Sequence, residues 1–543
     1  MVIKGWILVR ITLGALILLA GIAPAAAGKG VLRIGVQGKL LSLDPHVHNE
    51  TFSLGVLSNS FEGLVRRDQD LRLQPGLAER WQQITPLHWR FHLRRGVRFH
   101  DGSEFTATDV LFSYNRALQP HSQQRSRLPK GARFVEVDSH TVDVHLISPN
   151  PVLHADWENL LIMSASWAKS HGVAMAGAAW DPATALPANG TGPYVITYHR
   201  TGELTRFERN PHWWGRRAAP DAGFETVRMY AIGVAQTRTA ALLSGQVDVI
   251  MPAPIQDLAR FERTPGFRTE TGPELRTIFL NMDQMRARLV VGQGTSIPNP
   301  LLDRRVRLAI DHAIDEATIA RVIMRGRARP TASLVSPQVL PGVGAIKRRR
   351  FDPEFARELL RQAGYADGFD LPMDCPGDRY VKDREICEAI AHMLTTVGIR
   401  VALNVQMKSL FFAKVLSGGG YDSAFNLLGW TPGAIDGRNV LAHVAGCRDA
   451  AGNGARFNLG GYCNPEVDRL ATEALIEPDA ARREAMLTRA FQIIHDDVGF
   501  IPLHQQTLAW AMREEIEAVV RADNQIRFGL IRRRGRWQAH APR

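Results

Sequence analysis

The folds open to this chain are most restricted by the stretch Leu77 to Leu118, LAERWQQITPLHWRFHLRRGVRFHDGSEFTATDVLFSYNRAL. In Trp89-Arg90-Phe91-His92-Leu93 apolar and polar residues alternate, the pattern of a strand with one face buried and one wet. Arg95-Gly96 turns the chain, and Val97-Arg98-Phe99 alternates again, which predicts a second short strand. His100-Asp101-Gly102 is another turn signal. Thr106 then caps a helix, with Asp109 at the third helical position, close to a capping box. Val110, Leu111, Tyr114 and Leu118 recur at helical spacing until Pro120 stops the run.

In its residues as well as its pattern this segment resembles the signature of the family 5 extracellular solute-binding proteins, the peptide- and nickel-binding receptors of ABC importers. Phe99-His100-Asp101-Gly102 and Phe105-Thr106-Ala107-Thr108-Asp109-Val110 follow the strands at that family's spacing. Ser42-Leu43-Asp44-Pro45-His46 resembles the family's N-terminal element, and Arg209-Asn210-Pro211-His212-Trp213-Trp214-Gly215 follows Thr191-Gly192-Pro193-Tyr194 as it does there. The resemblance spans about residues 31 to 527. It implies an α/β, two-lobed periplasmic-binding-protein (Venus-flytrap) fold with an extra subdomain in the first lobe. Lobe I is expected at 28–277 with the inserted subdomain at about 61–185, lobe II at 278–503, and a return to lobe I with a basic tail at 504–543. Such receptors close by hinge motion around a ligand.

The first 27 residues read as an export signal. Lys4 and Arg10 flank the start of an apolar run from Ile11 to Ile22, and Ala25-Ala26-Ala27 offers an A-x-A cleavage site. The run is shorter than the ~20 residues of a membrane span, and no Cys follows to carry a lipid. A periplasmic protein is expected, and the rest of the 543-residue chain is too long for one core. The net charge of +12 is mostly scattered arginine, dense only at Arg348-Arg349-Arg350 and Arg532-Arg533-Arg534. Neither run is interleaved with aromatics, so a solvated surface is expected there and no nucleic-acid partner.

Four cysteines, Cys375, Cys387, Cys447 and Cys463, allow three disulfide connectivities in an oxidising compartment. Local pairing of Cys447 with Cys463, and of Cys375 with Cys387, is the simplest to propose. The first bridge resembles one near the ligand segment of dipeptide-binding relatives. A zinc site is the competing idea, but no C-x-x-C pair is present to support it.

Elsewhere the pattern predicts a first strand at 31–37, a helix over 54–64 and strands either side of Asp138-Ser139-His140. The Trp213-Trp214 pair reads as packing. A helix over 237–243 ends at Gly245 before a strand over 247–251. Ile278 to Met282 is the crossover strand into the second lobe, and Leu508 to Met512 rejoins the first. Asp303, Asp315, Asp352-Pro353, Asn464-Pro465 and Glu477-Pro478 start helices, and Arg384 to Val397 is a further one. Strands follow at 400–405 and, after Gly418-Gly419-Gly420, at 421–430.

What the resemblance implies about the site begins with residues just past the N-terminal element, His48, Asn49, Glu50 and Thr51, which face the ligand in peptide-binding relatives. Leu428-Gly429-Trp430-Thr431-Pro432-Gly433 sits where those relatives offer a strand edge, a mode in which main-chain hydrogen bonds carry affinity for varied side chains. Trp430 would cover apolar ligand surface. Relatives often place an Asp for the peptide's α-amino group where this chain has Gly433, and Pro432 removes a backbone donor. The departure argues against a free amino terminus as the main anchor. Glu50 or Asp436 stands as a substitute charge, or as a solvated loop carboxylate. Arg379 lies near where dipeptide binders hold the ligand carboxylate, a task suited to a guanidinium fork, the alternative being an ion pair with Asp378 or Asp383. His504 and Gln505 are expected on the hinge side of the cleft.

The sequence lacks G-x-S-x-G, a Walker A loop, G-x-G-x-x-G and H-E-x-x-H, so no catalytic residues are assigned and no enzyme is expected. Among its eighteen histidines, His46 and His48 form the one tight pair, with a spacing that suits loop packing as readily as ligation. No cofactor is expected. The resulting expectation is a monomeric receptor for a small peptide or peptide-like ligand, delivering it to an inner-membrane ABC permease and its ATPase subunits. The runner-up is a receptor for nickel or a metal chelate, haem or another non-peptide solute; a secreted hydrolase comes last.

Overall fold

Two strands, Phe267–Met282 and Ile501–Arg513, run antiparallel through both halves of one large sheet. The computed structural model describes residues 30–177, 188–217, 223–416, 420–433, 435–448 and 454–535. The expected export signal, the glycines Gly418-Gly419 and the end of the tail lie outside them. No helix among the described residues is long and apolar enough to cross a membrane.

The two strands pair from Phe267↔Arg513 to Pro273↔Thr507, slip at a bulge, and resume from Thr277↔Gln505 to Leu280↔Ile501. On the first side of the bulge the sheet continues through Val249–Met251, Val31–Val36, Thr226–Ala231, Leu204–Arg209 and Tyr194–Arg200. On the second it continues through Phe425–Trp430, Phe369–Pro376 and Ile399–Gln406. The expected crossover segment is therefore the far end of a longer strand. Its apolar run, Ile278-Phe279-Leu280, reads as a strand covered on both faces. Ile278, Leu280 and Met282 pack in one cluster with Val306, Leu359, Ile386 and Ile390. Phe279 packs in another with Val467, Leu470, Leu487 and Phe491, so helices close both faces of the second lobe.

The inserted subdomain is a four-stranded sheet in the order Ala78–Thr85, His88–Leu93, Thr141–His145, Arg133–Asp138. Helix Ala107–Ala117 lies on it through Val110 and Tyr114, the latter edge-on to Trp157 with centroids 4.8 Å apart. Asp109 binds the helix start on two sides: one oxygen accepts the Thr106 N–H at 2.9 Å, the other the Ala165 N–H at 2.8 Å. The expected strand at Val97-Arg98-Phe99 is not formed. Phe99 N–H donates to Ser103 O and Phe105 N–H to Val97 O, closing the loop on itself, and only an Arg98–Glu104 bridge remains. Strand His88–Leu93 pairs instead with the segment before it and with Thr141–His145.

Other boundaries shift for local reasons. The helix expected over 54–64 is Thr51–Leu57, because the Asn59 amide donates to the Gly55 and Val56 carbonyls and to Ile526 O. Asp479, rather than Glu477-Pro478, caps helix Ala480–Asp496. The segment after Asp315 is one short helix, Glu316–Thr318, continued by a wider turn. Arg348 and Arg349 are not a solvated run. Arg348 Nη1 donates to Pro502 O at 2.6 Å, its Nη2 pairs with Glu316, and Arg349 Nη1 meets Asp311 Oδ2 at 2.7 Å.

Candidate ligand site

Where the long strands cross, Arg329, Gln505, Thr277 and Trp430 stand in register as one row on four neighbouring segments. The adjacent row is Pro330, His504, Ile278 and Gly429. Cross-strand partners share a face and successive rows alternate. Thr277 and Gln505 are buried, yet Thr277 Oγ1 and Gln505 Nε2 have no hydrogen-bond partner among the described residues. Buried polar atoms are nearly always satisfied, so this row suits the polar atoms of a ligand.

Strand Phe425–Trp430 is paired along one edge throughout, but its other edge meets Phe369–Pro376 only at Phe425 and Asn426. From Leu427 onward no strand among the described residues covers that edge. The Tyr380 hydroxyl reaches it, donating to Gly429 O at 3.2 Å. A strand residue points its N–H and C=O the same way, so the Gly429 N–H faces the same open edge. Glycine is required here: a Cβ would lie 2.6 Å from Ile278 Cδ1 and 2.7 Å from Tyr380 Cε1.

The loop carrying Arg379 and Tyr380 is fixed at several points. Asp383 Oδ2 accepts both their backbone N–H groups, at 2.8 and 2.9 Å, and Val381 N–H donates to Gln506 Oε1 at 3.2 Å. Asp378 Oδ1 accepts the Lys408 N–H at 2.6 Å. Both candidate partners of Arg379 are thus engaged by backbone donors, and among the described residues its guanidinium lies exposed beside the Tyr380 ring rather than against a carboxylate. The result is a cation held by a rigid loop with its fork free, the arrangement a ligand carboxylate needs.

On the other face, Trp430 Nε1 donates to Asn439 Oδ1 at 3.0 Å, and its ring packs 4.8 Å from Phe457 and 5.9 Å from His443. Phe457 lies within the loop closed by the Cys447–Cys463 disulfide; Cys375 and Cys387 form the other bridge. Thr431 Oγ1 accepts from Arg276 Nε at 3.0 Å.

Residues on the first-lobe side divide. Asn49 Oδ1 accepts from Arg127 Nε and Nη2, at 3.2 and 2.7 Å, while Arg127 Nη1 donates to Gly433 O at 3.1 Å. Glu50 is the N-cap of the helix that begins at Thr51, its two oxygens accepting from Phe52 N and Ser53 N. Asp436 caps helix Gly437–Val440 and pairs with Arg483 Nη2 at 2.6 Å. Both carboxylates thus already hold a helix start, and Asp436 an arginine as well. His504 is fully buried, neither ring nitrogen has a hydrogen-bond partner among the described residues, and burial lowers its pKa to about 4.

Sequence reasoning did not single out Arg127, Tyr380 or the buried charges at the crossing. Glu274 Oε1 lies 3.2 Å from Arg276 Nη1, and its Oε2 accepts from Gln506 Nε2 at 2.8 Å. Two opposite charges flanking Leu275, in a stretch from Thr271 to Met282 that carries no other charge, were the available signal. The N-terminal element proves to be packing. Asp44 takes Arg116 bidentately, at 2.7 and 2.6 Å, and both are buried. His46 accepts from Arg116 Nη1 through Nδ1 at 3.0 Å and donates through Nε2 to Leu161 O at 2.8 Å. That tautomer requires a neutral ring, and burial holds its pKa down to about 4. Trp213 and Trp214 both donate to the Glu62 carboxylate, so they too are structural.

Residues 72–452 match the bacterial extracellular solute-binding proteins, family 5 Middle. The glutathione-binding protein GsiB of Salmonella choleraesuis is 25% identical over 506 residues, 92% of this chain and 94% of that protein. Among solved structures, the periplasmic binding protein DppA of Helicobacter pylori, in complex with peptide STSA, superposes with a TM-score of 0.74 at 22% identity, covering 93% of this chain and 98% of that one. The ABC transporter substrate binding protein CtaP of Listeria monocytogenes does so with 0.79 at 18% identity, covering 93% and 99%.

Proposed function

Since this chain belongs to the bacterial extracellular solute-binding proteins of family 5, we propose that it captures a short peptide or peptide-like amide compound between its lobes. In this reading it works as a monomer in the periplasm after losing residues 1–27. It hands the solute unchanged to an inner-membrane ABC permease driven by its ATPase subunits. Lobe I ends where the outgoing strand passes Thr277, and lobe II extends to Leu503.

One observation carries the reading: an uncovered strand edge at Gly429 stands beside a rigidly held Arg379 with no carboxylate partner. A backbone laid along that edge receives main-chain hydrogen bonds, and Arg379 takes its terminal carboxylate. Thr277 and Gln505 line the floor, and Trp430 covers an apolar side chain. Asn49 and Thr51 form the first-lobe rim, with Glu50 shaping it as a cap. His504 and Asp436 support the wall without touching solute. Glutathione, named for the relative GsiB, is a peptide of the right class. Gly433 in place of a carboxylate, with Glu50 and Asp436 otherwise engaged, supports tolerance of a blocked amino terminus.

Calorimetry with the free, N-acetylated and C-amidated forms of one short peptide tests this. Binding of the free and acetylated forms with a weaker amidated form is expected. Failure of all three to bind, with a metal chelate binding instead, would replace the peptide reading.

A further inference from the structure

Among the described residues, one group of His, Cys, Asp or Glu side chains is spaced for a metal ion, and it lies on the inserted subdomain. His88, Asp143 and His145 offer one ligand atom each, all within 4.8 Å of one another. The sheet creates the group. His88 pairs directly with His145 on the antiparallel neighbour, and Asp143 precedes His145 by two residues, hence on the same face. Trp89, Phe91, Val142 and Val144 point to the core, which leaves His88, Arg90, Asp143 and His145 on the outer face.

The carboxylate at the centre of the group is shared between a histidine and an arginine. The His88 and His145 rings stack 4.5 Å apart over a buried Asp143. His88 Nε2 lies 2.9 Å from Asp143 Oδ2 and is sealed from solvent. Arg90 grips the same carboxylate through Nε at 2.7 Å and Nη2 at 2.8 Å, and Arg133 faces His145 from the third strand.

We propose that His88, Asp143 and His145 form a site for one borderline divalent cation of the Zn²⁺, Ni²⁺ and Cu²⁺ class. Two neutral imidazoles and one carboxylate are a donor set these ions take, whereas Ca²⁺ and Mg²⁺ require oxygen shells. His88 Nε2 is already beside Asp143 Oδ2, a nitrogen of His145 lies within 4.8 Å of both, and the cation that draws the three together displaces Arg90 Nη2 from that oxygen. Arg90 Nε stays on Oδ1 and orients the carboxylate from outside. The bound ion cross-links two adjacent strands, so it stabilises the folded subdomain by mass action. The site is separate from the cleft and does not require the transported solute to be a metal.

The test uses the full mature chain without a histidine tag, stripped with chelator and titrated calorimetrically with ZnCl₂ or NiCl₂. One saturable equivalent and a raised melting temperature are expected. Both should be lost in His88→Gln/His145→Asn. Arg90→Gln, which removes the competitor for Asp143, should keep the equivalent and bind it severalfold more tightly. Co²⁺ absorption bands present in the parent and absent in the single variant His145→Gln supply a second readout should the double variant fold poorly. No saturable binding by the parent, or the same stoichiometry in the histidine variants, overturns the proposal.

Discussion

Arg127 donates to the carbonyl of Gly433 at 3.1 Å while Asn49 holds the same guanidinium, so a side chain of the inserted subdomain touches the second lobe directly. In the proposed function this contact acts as a latch across the cleft mouth, and its partners are exposed, so it contributes modestly. Arg127→Ala should weaken ligand binding about fivefold, corresponding to one hydrogen bond of about 1 kcal/mol. The change should appear in the dissociation rate. Stopped-flow measurements giving the parent's dissociation rate would remove the latch from the account.

Arg379→Ala should weaken a peptide with a free carboxylate by about 2 kcal/mol, the scale of a charge-assisted hydrogen bond, and leave its amidated form nearly unchanged. Equal losses for the two forms would show that Arg379 acts through the fold instead.

Trp430 has one face on Phe457 and its Nε1 tied to Asn439. Trp430→Ala should reduce affinity by about 2 kcal/mol, as for buried aromatic anchors generally. Retention of full affinity would place the ligand elsewhere.

The Cys447–Cys463 bridge closes a loop with a sequence separation of 16. Its removal in Cys447→Ser/Cys463→Ser should cost about 3 kcal/mol in the chain-entropy picture. Because Phe457 lies in that loop, solute affinity should fall as well. Denaturant melts and calorimetry on one preparation separate the effects. A stability loss with unchanged affinity would uncouple the bridge from the Trp430 wall.

His504, with a folded pKa of about 4 against 6.5 for the free side chain, makes stability acid-sensitive. On acidification the unfolded chain takes the proton first. The neutral ring's contribution is therefore complete above about pH 6.5 and is lost progressively down to about 4. His504→Leu should spare about 2 kcal/mol of the drop in unfolding free energy between pH 7 and pH 5. His46 and His154, also held near 4, keep a remaining pH dependence in the variant. Identical pH slopes in parent and variant would contradict the assignment.

Local devices were legible in the sequence and distant partnerships were not. Thr106 with Asp109, Asp303, Asp352-Pro353 and Asn464-Pro465 each specify a helix start within four residues, and each is found there. Glu50 and Asp436 carry the same signal, an acid just before a helix, but were weighed as ligand charges. Their role follows from the N–H groups two and three positions on. Arg276 reaches Thr431 across 155 residues and Arg127 reaches Gly433 across 306, contacts no local pattern encodes. The Val97-Arg98-Phe99 alternation failed as a strand because burying two apolar side chains satisfies it equally well in a closed loop.

Strand Ile501–Arg513 lies between Val249–Met251 and Phe267–Met282 in the sheet, although it follows both in the chain only after the whole of the second lobe. Until it emerges, the sheet of the first half lacks a middle strand, and the edges of both neighbours stand open. An incomplete chain therefore cannot reach a finished structure, however long it waits. Connectivity of this kind keeps a partly emerged chain unfinished until the strand that joins the two halves of the sheet has appeared.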